Sequence, residues 1–291
     1  MLKIINLRKK FDATPVLENI SLEVQQGSIF AMVGPNGAGK TTLIRAIMGI
    51  VLPDSGRIEF QGQDLHANPQ LKEQIAYIPE LHHFFPDFTG RQLTQLYRMT
   101  YSTWDEERYL ELRDVFKLPD NKKFKNFSKG MKTQMAFLLN LPINPRLLIL
   151  DEPTSGLDPI VRKQVLNLIV DLVASQGTTV IISSHNLLEL ERICDSFGIL
   201  SQGKLLLSEQ VDTLKEEICK VQVAFAQGLP EEIAQHPGLL SCQQVGHIYT
   251  LILKDTALLK MVEKAQPSFI GKMDISMEEI FMSVMGGYQN A

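Results

Sequence analysis

The chain has 291 residues, of which 44% are hydrophobic and 21% are charged, with a net charge of -4. This is the composition of an ordinary globular protein, and the length predicts one large domain with a smaller one. The slight acidic excess argues against a nucleic-acid binder, whose footprint is a surplus of Lys and Arg.

The cysteines and the apolar runs favour a protein of the cytosol. Cys194, Cys219 and Cys242 lie far apart without metal-ligand spacing, which predicts reduced thiols. The first residues, MLKIINLRKKFD, lack the apolar core of a signal peptide. No apolar run approaches the roughly 18 to 20 residues of a membrane helix, so we expect another chain to supply any membrane crossing.

The first part of the chain alternates strand patterns with turn residues. Apolar or alternating runs predict strands over residues 2–6, 16–24, 28–33, 57–60 and 75–80, with a helix over residues 40–50.

A helical insertion is predicted from about residue 83 to 141. Thr89 with Gln92, and Thr103 with Glu106, have the spacing of a capping box, in which two side chains satisfy the free amides of a helix start.

Strand patterns return after the insertion. LLILDE (147–152) and TTVIISSH (178–185) predict buried strands, and Asp158 followed by Pro159 predicts the start of a helix that runs to about residue 175. This alternation indicates a parallel sheet with covering helices. FGILSQGKLLL (197–207) predicts a hairpin.

The pattern changes after about residue 215. Short strands and helices there predict a small α+β appendage. Its last helix, near residues 277–285, has a capping box in Ser276 and Glu279.

Residues 34–41, GPNGAGKT, match the P-loop pattern in full and lie between a predicted strand and a predicted helix. Glycines let backbone amides fold around phosphates, and the helix adds its positive N-terminal end. Lys40 is expected to neutralise the β and γ phosphates and Thr41 to hold Mg²⁺.

Two acids follow the strand of LLILDE, at the edge where α/β sheets bind ligands. Asp151 is expected to bind the metal through water, and Glu152 to polarise an attacking water. The alternative for Glu152 is that it only caps a turn.

Seven motifs in order resemble the ATP-binding cassette (ABC) family over roughly residues 1–210. They are Phe11, the P-loop, YIPE (77–80), NFSKGMK (126–132), LLILDE, SGLD (155–158) and His185. In family terms these are the A-loop, Walker A, Q-loop, signature, Walker B, D-loop and H-loop.

The resemblance implies a role for each matched residue. Phe11 would stack on adenine, unless it is only a core residue, and His185 would hold the γ phosphate and Glu152, unless it is structural. Ser155 and Asp158 would lie between two cassettes. The expected catalytic residues are Lys40, Glu152 and His185, and the expected metal residues are Thr41, Asp151 and Glu80. The expected nucleotide-binding residues are Phe11, Gly34, Pro35, Asn36, Gly37, Ala38, Gly39, Lys40, Thr41, Thr42, Glu80, Ser128, Gly130 and Asp158.

Two positions depart from the family pattern. Glu80 replaces the usual Gln, and we expect it to contact Mg²⁺ or a water. The signature reads FSKGM instead of LSGGQ: Ser128 and Gly130 keep the hydroxyl and the close backbone approach, while Lys129 either contacts phosphate or is solvated. Met131, Met135 and Leu138 have helical spacing and are expected in the core.

The segment LHHFFPDFTGRQL (81–93) follows the Q-loop, which in this family faces a membrane subunit. Phe84, Phe85 and Phe88 would either suit a partner groove or pack inside the helical insertion. Adjacent histidines, His82 and His83, point apart on a strand, which argues against a metal site.

The sequence therefore predicts an α/β protein: a RecA-like P-loop NTPase core with an antiparallel β subdomain and a helical insertion. The predicted domains are an ABC ATPase over residues 1–215 and a small α+β domain over residues 216–291.

The predicted function is that of an ATPase that uses ATP and Mg²⁺ to power an ABC transporter. It would pair with a second cassette and with separate permease subunits at the cytoplasmic face of the membrane, with no nucleic acid as partner. YIPE, FSKGMK and ISMEEIF (275–281) resemble ATPases of ABC-2-type bacterial exporters of antibiotics, peptides or lipids. The alternatives are a soluble non-transport ATPase and a regulatory cassette with little hydrolysis.

Overall fold

A computed structural model of the chain describes residues 1–82, 84–254 and 256–289. It divides into two compact units, Met1–His185 with Leu200–Leu205, and Asn186–Ile199 with Leu206–Ala291. The predicted domain boundary near residue 215 stays a prediction. No helix in the described ranges combines the length and the apolar character needed to cross a bilayer.

The first unit begins with an antiparallel sheet in the order β2-β1-β4-β5. Its strands are β1 (Leu2–Phe11), β2 (Thr14–Val24), β4 (Ser55–Phe60) and β5 (Gln63–Asp64). Alternating burial along β1 and β2 sends one face into the core and leaves the other exposed, as the alternating sequence predicts.

Four parallel strands of the first unit lie in the order β3-β8-β7-β6. They are β3 (Ile29–Val33), β6 (Ile75–Ile78), β7 (Leu147–Asp151) and β8 (Thr179–Ser184). Every residue of β3, β7 and β8 is buried, which explains the apolar runs in their sequences. Because the strands are parallel and in register, the residues that follow β3, β7 and β8 meet at one edge of the sheet.

The helices of the first unit include two that belong to the parallel sheet and three in the predicted insertion. They are α1 (Lys40–Ile47), α2 (Gly90–Thr100), α3 (Glu106–Phe116), α4 (Lys129–Asn140) and α5 (Pro159–Gln176), with 3₁₀ turns at Pro69–Gln74, Phe124–Asn126 and Leu141–Ile143. One buried core joins the antiparallel sheet, α1 and one face of the parallel sheet, with Phe30, Phe60, Leu43 and Ile149 among its members.

Two predicted helix starts in this unit were tested by the structure. The capping box of Thr89 and Gln92 is confirmed. The box of Thr103 and Glu106 is wrong, because α3 is capped by Asp105, whose carboxylate accepts from the Arg108 amide. Glu106 instead forms a two-point ion pair with Arg98, through distances of 2.8 and 2.6 Å, and accepts from the Trp104 indole at 2.9 Å.

The second unit holds the remaining elements. They are α6 (Leu187–Leu190), β9 (Ser196–Ser201), β10 (Lys204–Gln210), α7 (Val211–Glu217), β11 (Cys219–Ala224), α8 (Glu231–Ala234), β12 (Leu239–Val245), β13 (Ile248–Leu253), α9 (Thr256–Lys264), β14 (Phe269–Met273) and α10 (Met277–Gln289). Residues 200–205, the turn of the predicted hairpin, belong to the first unit.

The appendage in the second unit is an antiparallel sheet in the order β12-β13-β11-β14. One face packs its own apolar core, in which Val221, Val223 and Leu251 meet Leu258 and Val262 of α9. The capping box of Ser276 and Glu279 at the start of α10 is confirmed.

Candidate functional site

The loop between β3 and α1 is built on glycines that no other residue could replace without strain. Gly37 and Gly39 have φ angles of 79° and 106°, in the left-handed region, and Gly39 is the N-cap of α1. A methyl group at Gly34 would overlap the carbonyl oxygen of Leu200. The loop therefore folds back on itself and leaves the first amides of α1 free for a ligand.

Lys40 is the first residue of α1, and its amine is turned into this loop. Its Nζ donates to the carbonyl oxygens of Gly34, at 2.7 Å, and Pro35, at 3.3 Å. The same Nζ lies 3.6 Å from Oε1 of Glu152. A buried ammonium held this way places a positive charge at the centre of an anion site.

Asp151 and Thr41 approach each other from two elements. Asp151 ends β7, and its Oδ1 accepts from the Thr41 hydroxyl at 3.3 Å and from the Ser183 hydroxyl at 2.6 Å. Hydroxyl and carboxylate oxygens are the donors that Mg²⁺ prefers, so this pair fits the ion.

The carboxylate of Glu152 lies between the amine of Lys40 and the imidazole of His185. Its Oε1 is the partner of Lys40, and its Oε2 lies 2.8 Å from Nδ1 of His185. The Glu152 side chain is 11% exposed, whereas that of His185 is 60% exposed. Glu152 has φ of 49°, a left-handed conformation that costs about 1–3 kcal/mol and is concentrated at functional sites.

A cavity of about 250 Å³ lies beside these groups. Its lining includes the predicted residues Asn36, Gly37, Ala38, Gly39, Lys40, Thr41, Thr42, Glu80 and Glu152, together with Val16. The structure thus places Glu80 beside the P-loop, and its contact with Mg²⁺ or a water stays a prediction.

Phe11 is outside this lining. It ends β1 with 47% of its surface exposed, and the amine of Lys9 lies 5.5 Å from its ring centroid. The exposure argues against a purely core role for Phe11, and its adenine contact stays a prediction.

The signature lies against the D-loop of the same chain. Ser128 caps α4 by accepting from the Met131 amide at 3.2 Å. The Lys129 side chain crosses Gly156, where an added Cβ would lie 2.8 Å from its Nζ. Asp158 accepts from the amides of residues 160 and 161, each at 3.0 Å, and so begins α5 as predicted.

At Gly130 an added Cβ would make ordinary van der Waals contacts. The atoms that an added Cβ would meet belong to Val161, at 3.7 Å, and Asp158, at 3.9 Å. Neither Ser128 nor Gly130 lines the cavity at the P-loop. Met135 and Leu138 are buried, as predicted for core positions, whereas Met131 is only half-buried.

The aromatic residues after the Q-loop differ in exposure, so some suit packing inside the helical insertion and others suit contact with a partner. Phe84 packs inward, with ring centroids 5.1 Å from Phe124 and 6.2 Å from Tyr97. Phe85 stacks on Phe88 at 4.8 Å and stays 56% exposed. The ring of His82 lies 3.1 Å from the Thr133 hydroxyl, and His83 lies outside the described residues.

Sequence reasoning missed two polar residues near Asp151. Ser183 contacts both acids, and its only signal in the sequence is its place near the end of β8, two residues before His185. Tyr77 lies in β6, where burial, and then the charge of Asp151, raises its pKa to about 12.

A glycine loop with a buried lysine, two acids after a neighbouring strand, and a histidine on the second acid define a P-loop nucleotide-binding site. A family model described as "ABC transporter" matches residues 17–155. A second, described as "AAA domain, putative AbiEii toxin, Type IV TA system", matches residues 120–191.

Two relatives and one solved structure extend this match. The ABC transporter ATP-binding protein YtrB of Bacillus subtilis (strain 168) is 34% identical over 289 residues, 99% of each chain. The bacitracin transport ATP-binding protein BcrA of Bacillus licheniformis is 35% identical over 74% of this chain and 72% of its own. A structure titled "Structure of ATP binding subunit of ABC transporter" aligns with a TM-score of 0.68 at 32% identity, over 74% of this chain and 92% of that one.

The chain belongs to the ABC transporter family, as an ATP-binding subunit with the cassette fold. It is an ATPase, and the predicted family, fold class and role as the ATP-binding subunit of an ABC transporter are confirmed.

Proposed function

We propose that this ATPase powers the export of peptide antibiotics or lipid-like amphiphiles by separate permease subunits that hold it at the cytoplasmic face of the membrane. Support for the cargo class comes from BcrA, which is named for bacitracin transport and is similar over 74% of this chain. The ending ISMEEIF and the signature FSKGMK agree with it.

The observation that carries the catalytic part is the row of three groups at the P-loop cavity: Lys40, then Glu152 at 3.6 Å, then His185 at 2.8 Å. Lys40 would neutralise the β and γ phosphates. Glu152 would take the proton of a water that attacks the γ phosphorus, while the bond from that phosphorus to the bridging oxygen breaks and ADP leaves. His185 would hold Glu152 through Nδ1.

Mg²⁺ would be held by Thr41, Asp151 and Glu80, whose oxygen atoms suit a hard cation. When bound, the ion would supply positive charge that offsets the negative charge of the phosphates. The hydroxyl of Thr41 and the carboxylate of Asp151 are 3.3 Å apart, so both can be directed at one ion or its waters.

Two cassettes would complete each site. Ser128 and Gly130 are outside the cavity that holds Lys40, so within one chain they are not part of the phosphate site. The start of α4, where they lie, would meet the γ phosphate of ATP bound to a second cassette, identical or homologous. ATP would then favour the closed pair, and hydrolysis would reopen it.

The test is ATP turnover by the chain reconstituted with its permease in proteoliposomes, with Glu152→Gln as the matched inactive control. We expect bacitracin-like peptides or amphiphiles to stimulate turnover in the wild type and not in the control. Stimulation by a small hydrophilic nutrient instead, with no response to peptides or amphiphiles, would contradict the proposed cargo class.

A further inference from the structure

Ser183 is a polar residue on an apolar face of the central sheet. It lies in β8 in register with Met32 of β3 and Asp151 of β7. Aligned residues of parallel strands share a face, and the residues two positions earlier on this face, Phe30, Ile149 and Ile181, are buried and apolar. Packing alone would therefore favour another apolar side chain at position 183.

The hydroxyl of Ser183 is bonded to both acidic residues. Its side chain is fully buried, and its Oγ donates to Oδ1 of Asp151 at 2.6 Å. It also accepts from the Glu152 amide at 3.0 Å. A buried hydroxyl is costly without partners, and here both its donor and its acceptor capacity are used.

These bonds have different consequences for the two acids. Asp151 receives its shorter and stronger side-chain bond from Ser183 rather than from Thr41, at 2.6 Å against 3.3 Å. The Glu152 amide also donates to the backbone oxygen of Ser183 at 3.1 Å, so it keeps a partner without the hydroxyl. Loss of the hydroxyl would thus release the Asp151 carboxylate far more than the left-handed backbone of Glu152.

We propose that Ser183 is a positioning residue whose hydroxyl fixes the orientation of the Asp151 carboxylate toward the magnesium-nucleotide complex. The inference rests on the proposed role of Asp151 in holding Mg²⁺. Ser183 would then determine how strongly nucleotide binding depends on Mg²⁺, whereas the P-loop contacts would bind the nucleotide itself.

The test compares Ser183→Ala, Ser183→Thr and the control Ile182→Val in the full chain. Ile182 is a fully buried neighbour in β8 whose truncation to Val removes one buried methyl group and no hydroxyl. Binding of a fluorescent ATP analogue is measured as Mg²⁺ is titrated in. The affinity for the analogue is measured again in EDTA, and ATP turnover is measured at saturating ATP.

We expect Ser183→Ala to raise the half-saturating Mg²⁺ concentration about tenfold, the lower end for loss of a group that orients a metal ligand. Affinity in EDTA should stay within twofold, because the P-loop is untouched. Ser183→Thr, which keeps a hydroxyl, should fall within about threefold of the wild type, and Ile182→Val should match the wild type.

Three outcomes would overturn the inference. Wild-type Mg²⁺ dependence in Ser183→Ala would refute the role of the hydroxyl, and equal losses in the Ala and Thr variants would assign the effect to packing. If Ser183→Ala does not fold, Ser183→Cys, which keeps the volume with a weaker hydrogen bond, takes its place. Wild-type protein whose binding ignores Mg²⁺ would refute the proposed role of Asp151 itself, and the inference with it.

Discussion

Replacing Lys40 with Met separates the contribution of its ammonium group to the stability of the fold from its contribution to ATP hydrolysis. Its Nζ bonds the carbonyl oxygens of Gly34 and Pro35 and lies 3.6 Å from Glu152. Hydrogen bonds to a charged group contribute about 1.5–3 kcal/mol, so the variant should lose about that much stability. In the transition state the same charge is expected to contribute about 2.7–4 kcal/mol, the range for one well-placed donor, which corresponds to a loss of about 100- to 1,000-fold in turnover.

The assays are turnover per folded molecule and the free energy of unfolding in urea. Lys3→Met is a matched control, since Lys3 pairs with Glu23 at 3.6 Å with both side chains about half exposed, a contact that contributes less than about 1 kcal/mol. A Lys40→Met protein that loses stability but turns over ATP within a few-fold of the wild type would refute the phosphate role and leave Lys40 as a structural residue of its loop.

Three other predictions follow from single contacts. Glu152→Gln should bind ATP and accumulate as a dimer in gel filtration with ATP and Mg²⁺; a monomer at saturating ATP would contradict a shared site between identical chains. Lys129→Gly should leave ATP binding to the monomer unchanged and alter turnover and dimer formation; altered monomer binding would mean that Lys129 acts on its own chain's nucleotide. Asp105→Ala should cost about 1 kcal/mol in urea unfolding at pH 7 through loss of the α3 cap, whereas Thr103→Ala should cost less than about 0.5 kcal/mol. The Arg108 amide lowers the pKa of Asp105, so this difference should be full above about pH 4 and disappear as the pH falls through the lowered folded-state pKa; a pH-independent difference would contradict it.

The sequence was sufficient for the parts of the site that depend on chain-local geometry. A strand, a glycine loop and a helix follow one another in the P-loop, so the positions of Lys40 and Thr41 come directly from the motif. The acids at the end of β7 were predicted for the same reason, because its four apolar residues must be buried and the chain must emerge where they end.

Contacts between distant segments were not predictable from the sequence alone. Assigning Ser183 to the acids requires the register of β7 against β8, which no local pattern specifies. The contact of Lys129 with Gly156 likewise depends on how α4 packs near the D-loop. At α3 the error was local, because Asp105 and Thr103 are both good caps. The helix begins directly after Asp105, so its carboxylate caps the helix and the more distant Thr103 hydroxyl does not.

The central claim is that Glu152 activates the water that hydrolyses ATP at the P-loop. Its most direct test is a single-turnover measurement with bound nucleotide quantified in the wild type and in Glu152→Gln. The account predicts that the wild type converts bound ATP to ADP, while the variant binds ATP equally and retains it unhydrolysed, with a rate at least about 100-fold lower. Conversion by Glu152→Gln at the wild-type rate would contradict it.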